Sequence, residues 1–208
     1  MIYIVDDFYP NPDAIREKAL ELDFIDGVDE KGIRHHTGVR CNNPSWLNMI
    51  YLRNRFKSIL GRKVLAFKND TSNGAFNLGY EHKHSFNWVH GDHTLNLGEP
   101  GATALWAAVI YLTPNPPENS GTVLMEHIRS GTKRQYENDR LIKGPSFYGN
   151  ILESKRVTDT WRPHITVENK YNRCIIYDAY NFHAPTNASF GNTKTTGRLT
   201  QIAFWETE

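Results

Sequence analysis

Apolar positions along the chain follow two periods, and the change from one to the other falls near residue 61. Residues 2–8 are a β-branched and aromatic run that predicts a strand. Asn11-Pro12 follows, an N-cap residue with proline at the first helical position. Ile15, Ala19 and Leu22 then recur at helical spacing, so a short amphipathic helix is expected. A second helix is expected to begin near Ser45, with Met49, Leu52, Phe56 and Ile59 on one face and Gly61 as its stop. Beyond Gly61, short runs rich in Val, Ile, Thr and aromatics predict strands at 64–67, 75–78, 87–89, 103–112, 122–125, 174–177 and 199–205. Many short strands with turn signals between them predict a sandwich, barrel or jelly roll. The stretch 128–171 is polar and broken by Gly131, Gly144, Pro145, Gly149 and Pro163, with a short helix expected at 135–141. Its charges, among them Arg129, Lys133, Arg134, Glu137, Asp139, Arg140 and Lys143, read as a solvated face or as a lid that grips a polar substrate.

Composition narrows the class. The 208 residues carry 24 basic and 23 acidic side chains, a formal charge of +1. That balance excludes binding to nucleic acid or anionic membrane by bulk charge. A mean hydropathy of −0.57 and the lack of any apolar run of roughly 18 residues argue against a membrane protein. The first residues have no basic segment followed by a long apolar one, so no signal peptide is expected. Cys41 and Cys174 form no Cys-x-x-Cys pair. Two free thiols in a reducing, cytoplasmic compartment are expected, with a single disulfide between them as the alternative.

The sharpest chemical signal is Trp88-Val89-His90-Gly91-Asp92-His93. In extended backbone His90 and Asp92 project from one face, which is two ligands of a metal site. Alone, His-x-Asp is equally the pattern of a turn pair. The candidate third ligand is His183, just after the apolar run 174–177. Two His and one carboxylate around one metal is the facial triad of non-haem Fe(II) oxygenases. Arg198 and Thr200 share one face of the last strand. A guanidinium and a hydroxyl so placed suit a carboxylate, and an arginine within so apolar a strand calls for an anion.

His90-x-Asp92, His183 and Arg198-x-Thr200, in that order, resemble the iron- and 2-oxoglutarate-dependent dioxygenases, and among them the prolyl-4-hydroxylase-like branch. Residues 108–113 resemble that branch's strand after the His-x-Asp. Asn119-Ser120-Gly121-Thr122 resembles its Gly-Gly-Thr turn, with Ser120 in place of the first glycine. The resemblance covers roughly residues 75–205 well and the first 60 loosely. The gap from Asp92 to His183 is long for the branch, and so is that from His183 to Arg198. The resemblance implies a mainly β fold with flanking helices (α+β) around a double-stranded β-helix, or jelly-roll, core. It implies one domain over 1–208, with an N-terminal strand and supporting helices in 1–62 and the jelly roll in 63–208, carrying a polar insertion at about 128–171. It implies Fe(II) held by His90, Asp92 and His183, with 2-oxoglutarate and O2 as cosubstrates. Arg198 would pair with the distal carboxylate of 2-oxoglutarate beside Thr200, and Tyr80 and Tyr111 stand where relatives place cosubstrate-contacting tyrosines. The expected activity is hydroxylation of a C–H bond with release of succinate and CO2. An aspartate at position 92 favours this over halogenation.

Other histidines allow other chemistry. His82, His84, His90 and His93 together form a rival zinc-type cluster, one without cysteine support that leaves Arg198 unexplained. Otherwise His84 or His93 lines the pocket mouth or is solvated. Trp88 and Trp106 are packing residues or walls of the substrate pocket. Two other functions fit a jelly roll: a ligand-binding module that performs no oxidation, and a cupin-like metalloenzyme that does not use 2-oxoglutarate. The substrate, small molecule or peptidyl, carries no mark in the sequence, and no nucleic-acid or membrane partner is expected.

Overall fold

A computed structural model describes residues 1–28, 34–42, 44–68, 73–81, 86–92, 97–134, 146–148 and 155–208. The first strand, β1 (Ile2–Val5), is shorter than the apolar run, because the chain turns at Asp7 with φ 53°. Helix α1 (Pro12–Leu20) starts as expected, with the Asn11 side chain accepting from the Ala14 amide. A hairpin of β2 (Ile25–Val28) and β3 (Arg34–Arg40) follows, which the hydropathy pattern did not announce. Helix α2 (Met49–Leu60) begins at an Asn48 cap, four residues later than expected, and ends on Gly61 at φ 63°, a conformation glycine adopts without strain.

The remaining strands are β4 (Val64–Phe67), β5 (Phe76–Gly79), β6 (Phe86–Trp88), β7 (Ala104–Tyr111), β8 (Thr122–His127), β9 (Ser146–Tyr148), β10 (Trp161–Val167), β11 (Cys174–Asp178), β12 (His183–Pro185) and β13 (Arg198–Thr207). A short helix, α3 (Lys155–Thr160), leads into β10. The major sheet runs β1-β11-β7-β13-β5-β3-β2, with β4 on the C-terminal half of β13. The minor sheet is β10-β8-β12, and β6 pairs with β9. An isolated bridge between His90 and His183 ties the continuation of β6 to β12. These facing antiparallel sheets form the jelly roll. The N-terminal segment supplies strands to both edges of the major sheet.

Within the stretch 128–171, β10 is a full partner of β8 rather than part of a polar loop. As an edge strand it exposes most of its side chains, and Pro163 sits at a break in register, so its hydropathy hides it. The helix expected at 135–141 lies outside the described residues.

Alternation along the strands sorts the core. Leu199, Ala203 and Trp205, with Ala108, Ile110 and Ile176, face α1 and α2. Trp205 stacks on Phe56 of α2, ring centroids 3.8 Å apart and 6° from parallel. The alternate residues Leu105, Ala107, Tyr111, Ile175 and Tyr177 face inward against Leu124 of the minor sheet. Cys41 and Cys174 are buried free thiols in the helix-facing core.

The start of the chain is locked to the turn before β11. Asn172, at φ 62°, donates to the Tyr9 carbonyl (2.9 Å) and accepts from the Tyr9 amide (2.9 Å). Asp6 accepts from Arg173 and Lys170, and these hydrogen bonds hold its carboxyl down at about 2, against an ordinary 3.8. Replacing Asn172 by Ala removes both side-chain bonds and strands the Tyr9 backbone. The expected loss is about 1–3 kcal/mol, read from the urea midpoint. The depressed Asp6 pKa contributes stability that is fully present above pH 3.8 and lost as pH falls towards 2. For this part-exposed pair the effect is about 1 kcal/mol or less, and Asp6→Asn should flatten that limb of the stability–pH curve.

Candidate metal and anion site

His90, Asp92 and His183 come together between the sheets, with ligand atoms within 4.8 Å of one another. Backbone bonds place all three. His90 and His183 exchange amide-to-carbonyl hydrogen bonds of 3.0 and 2.7 Å. The Asp92 amide donates to the Ala179 carbonyl (2.9 Å), and the Ala179 amide donates to Leu105 of β7 (3.0 Å). Both histidines therefore hang on the minor sheet and the aspartate on the major one. His183 Nε2 lies 3.9 Å from Asp92 Oδ2, and the two imidazole centroids are 4.3 Å apart.

His183 is fixed as a neutral ligand. Its Nδ1 lies 2.8 Å from the Asn181 carbonyl, which can only accept, so the proton is on Nδ1 and the Nε2 lone pair faces Asp92. Burial pushes its pKa down to about 4. Two imidazole nitrogens and a carboxylate converging on one point fit a divalent transition metal and leave coordination positions open.

Arg198 and Thr200 project from the same inner face of β13 and are 8% and 1% exposed. Arg198 Nε donates to the Ser120 carbonyl (3.2 Å) and Nη2 to that of Gly121 (3.4 Å). No carboxylate among the described residues pairs with it, and no acceptor there takes its Nη1. The Thr200 hydroxyl likewise makes no hydrogen bond among them. Burial draws the Arg198 pKa below the ordinary guanidinium value, opposed by Tyr111 and Tyr177. The result is a buried cation held, among the described residues, by carbonyl oxygens alone, an arrangement that suits an anion nearby.

The other candidates divide. Tyr111 lies beneath Arg198, guanidinium carbon 5.7 Å from its ring centroid, and its hydroxyl donates to Thr122 (2.8 Å). Burial lifts that phenol to about 12. Tyr80 packs against the helix-facing core. Of the two readings of Trp106, its surroundings match packing: strand parity points it to the helix-facing core, where it meets Tyr3 and donates to Thr207. His82, His84 and His93 lie outside the described residues, and the Trp88 side chain is likewise undescribed. Among the charges singled out between 129 and 143, Arg134 pairs with Asp178 (2.7 Å) and Lys133 with Glu126 (3.7 Å).

Sequence reasoning missed three parts of the site. Ser120 and Gly121 act through backbone carbonyls, and the Asn181 carbonyl sets the His183 tautomer, none of which a side-chain motif reveals. Tyr177 is the third. It sits on the inner face of β11 with its ring centroid 4.9 Å from that of His183. Burial, reinforced by Asp92, raises its pKa well above the ordinary phenol value. Its only sequence signal is a hydroxyl at a buried strand position six residues before a ligand.

Residues 1–205 match one family over nearly the whole chain, and solved structures match the fold. Crystal structures of HygX from Streptomyces hygroscopicus, bound to nickel and 2-oxoglutarate, and of a Trichoplax adhaerens prolyl hydroxylase align with TM-scores of 0.54 and 0.51. Each is 11% identical over 99% of this chain, and 82% and 83% of the other chains are covered. The epimerase SnoN of nogalamycin biosynthesis aligns with a TM-score of 0.56 at 11% identity, over 99% of this chain and 78% of its own. The fold is thus the double-stranded β-helix of the iron- and 2-oxoglutarate-dependent oxygenases. No curated protein matches in sequence. The chain belongs to the family described as "Family of unknown function (DUF6445)".

Gly121 ties this site to the fold. A Cβ there would run into the Val167 carbonyl of β10. Gly121→Ala is expected to force the Thr122 end of β8 outward and lower stability by about 1–3 kcal/mol in thermal or urea unfolding.

Proposed function

We propose that this protein is an Fe(II)- and 2-oxoglutarate-dependent oxygenase that hydroxylates a C–H bond of a small-molecule or peptidyl substrate. The observation that carries the proposal is a pair of complementary sites in the space between the two sheets. A His2Asp set within 4.8 Å shares the interior with a buried guanidinium that pairs with no carboxylate among the described residues. His90, Asp92 and His183 would hold the metal. Arg198 and Thr200 would bind the far carboxylate of 2-oxoglutarate, their unpaired donors matching its oxygens. When bound, iron and 2-oxoglutarate supply, with O2, the oxidising power for C–H cleavage, and succinate and CO2 are the by-products.

The remaining residues position and dry the site. The Asn181 carbonyl keeps His183 in the tautomer that presents Nε2. The Ser120 and Gly121 carbonyls hold the guanidinium plane. Leu105, Leu124 and Ile175 form an apolar floor that excludes water and strengthens each charge contact. Cys41 and Cys174, buried and unpaired, support a reducing, cytoplasmic compartment.

Anaerobic addition of Fe(II) and 2-oxoglutarate should produce the visible charge-transfer band of a chelated 2-oxo acid, and admission of O2 should yield succinate. His183→Ala should abolish the band. Arg198→Ala should weaken 2-oxoglutarate by about tenfold or more while leaving Fe(II) affinity within twofold. A wild-type protein that binds metal but gives neither band nor succinate would instead be a binding module or a metalloenzyme of another kind. With a turned-over substrate, a product one oxygen atom heavier marks hydroxylation, and one of unchanged mass marks epimerisation.

A further inference from the structure

We propose that Tyr177 is a positioning residue for the cosubstrate, its phenolic O–H donating to the metal-side carboxylate of 2-oxoglutarate, an assignment that rests on the function proposed above. Strand parity puts Tyr177 on the inner face of β11 with Ile175, in the same cluster as Leu105, Ala107 and Leu124. It is 2% exposed. Among the described residues its hydroxyl makes no hydrogen bond, not even to Asp92. A phenylalanine would pack as well in that cluster, so packing does not account for the hydroxyl. The hydroxyl therefore calls for an acceptor that arrives with a ligand.

Position selects the acceptor. The Tyr177 ring lies against His183, at the metal end of the site, whereas Arg198 and Thr200 occupy the far end. On the inner face Tyr177 pairs with Ala107 of β7, and Thr200 pairs with Tyr111 further along that strand, so the phenol and the guanidinium side of the site lie at different levels of the same sheet. Tyr111 is differently placed: its hydroxyl is already committed to Thr122, and its ring supports Arg198. Of the two inner-face tyrosines on adjacent strands, Tyr177 alone has a donor to spare. A phenol donating to a carboxylate is a charge-assisted bond, and such a bond at the metal end fixes the angle at which the 2-oxo acid enters.

The test compares wild type and Tyr177→Phe by anaerobic titration with 2-oxoglutarate after Fe(II) loading. The expected result is about ten- to a hundredfold weaker 2-oxoglutarate binding, an unchanged Fe(II) affinity, and a shifted maximum of the charge-transfer band. The urea midpoint should be unchanged or higher, because the isosteric change breaks no hydrogen bond among the described residues. Equal 2-oxoglutarate affinity in the two proteins overturns the assignment and leaves the oxygenase proposal standing. Weakened binding with an unshifted maximum overturns the metal-side placement, since the bond is then to the distal carboxylate. Failure of the wild type to bind 2-oxoglutarate at all overturns the oxygenase proposal and this assignment with it.

Discussion

Burying a guanidinium between two sheets with no carboxylate partner among the described residues is the physical constraint on which this site turns. Arg198 is held by two carbonyl oxygens, from Ser120 and Gly121, which orient the charge without neutralising it. The turn that supplies those carbonyls must come close to β10, and it does so because Gly121 has no side chain to meet Val167. The arginine thus depends on the glycine, the glycine on the contact between β8 and β10, and the unneutralised charge makes the space beside it a place for an anion.

The candidate metal triad of His90, Asp92 and His183 is built by a different device. Its ligands come from two sheets, and each is set by backbone bonds before any metal arrives. The reciprocal bridge between His90 and His183 aligns the two imidazoles as cross-strand neighbours. The link from Asp92 through Ala179 to Leu105 fixes the carboxylate to the opposite sheet. Relative motion of the sheets would move Asp92 away from the histidines, so the interior apolar cluster that joins them also preserves the ligand geometry. The stacking of Trp205 on Phe56 anchors β13 from the other side, and with it Arg198 and Thr200.

Much of this was legible in the chain. Helices α1 and α2, and most strands beyond residue 61, follow from period and capping, because their buried faces are markedly apolar. The His-x-Asp, His183 and Arg-x-Thr order pointed to a metal and an anion, since few other uses combine those residue types. The hairpin β2–β3 and strand β10 were not legible. Edge strands keep one side in water, so their composition is close to that of a loop. Trp106 illustrates a related limit. An aromatic in a strand near the site was a fair candidate for its wall, and only the parity of β7 against β13 and β11 turned it to the helices.

What the sequence determined by itself was the set of chemical groups and their order, because side-chain type and local period are properties of neighbouring residues. What the tertiary structure decided was which groups face one another. The tautomer of His183 depends on the Asn181 carbonyl, the orientation of Arg198 on the carbonyls of Ser120 and Gly121, and the placement of Tyr177 against His183 on the parity of β11. Each is set by backbone atoms or by strand register across the barrel, and neither a carbonyl's direction nor a distant strand's parity is written in the identity of the residues it serves.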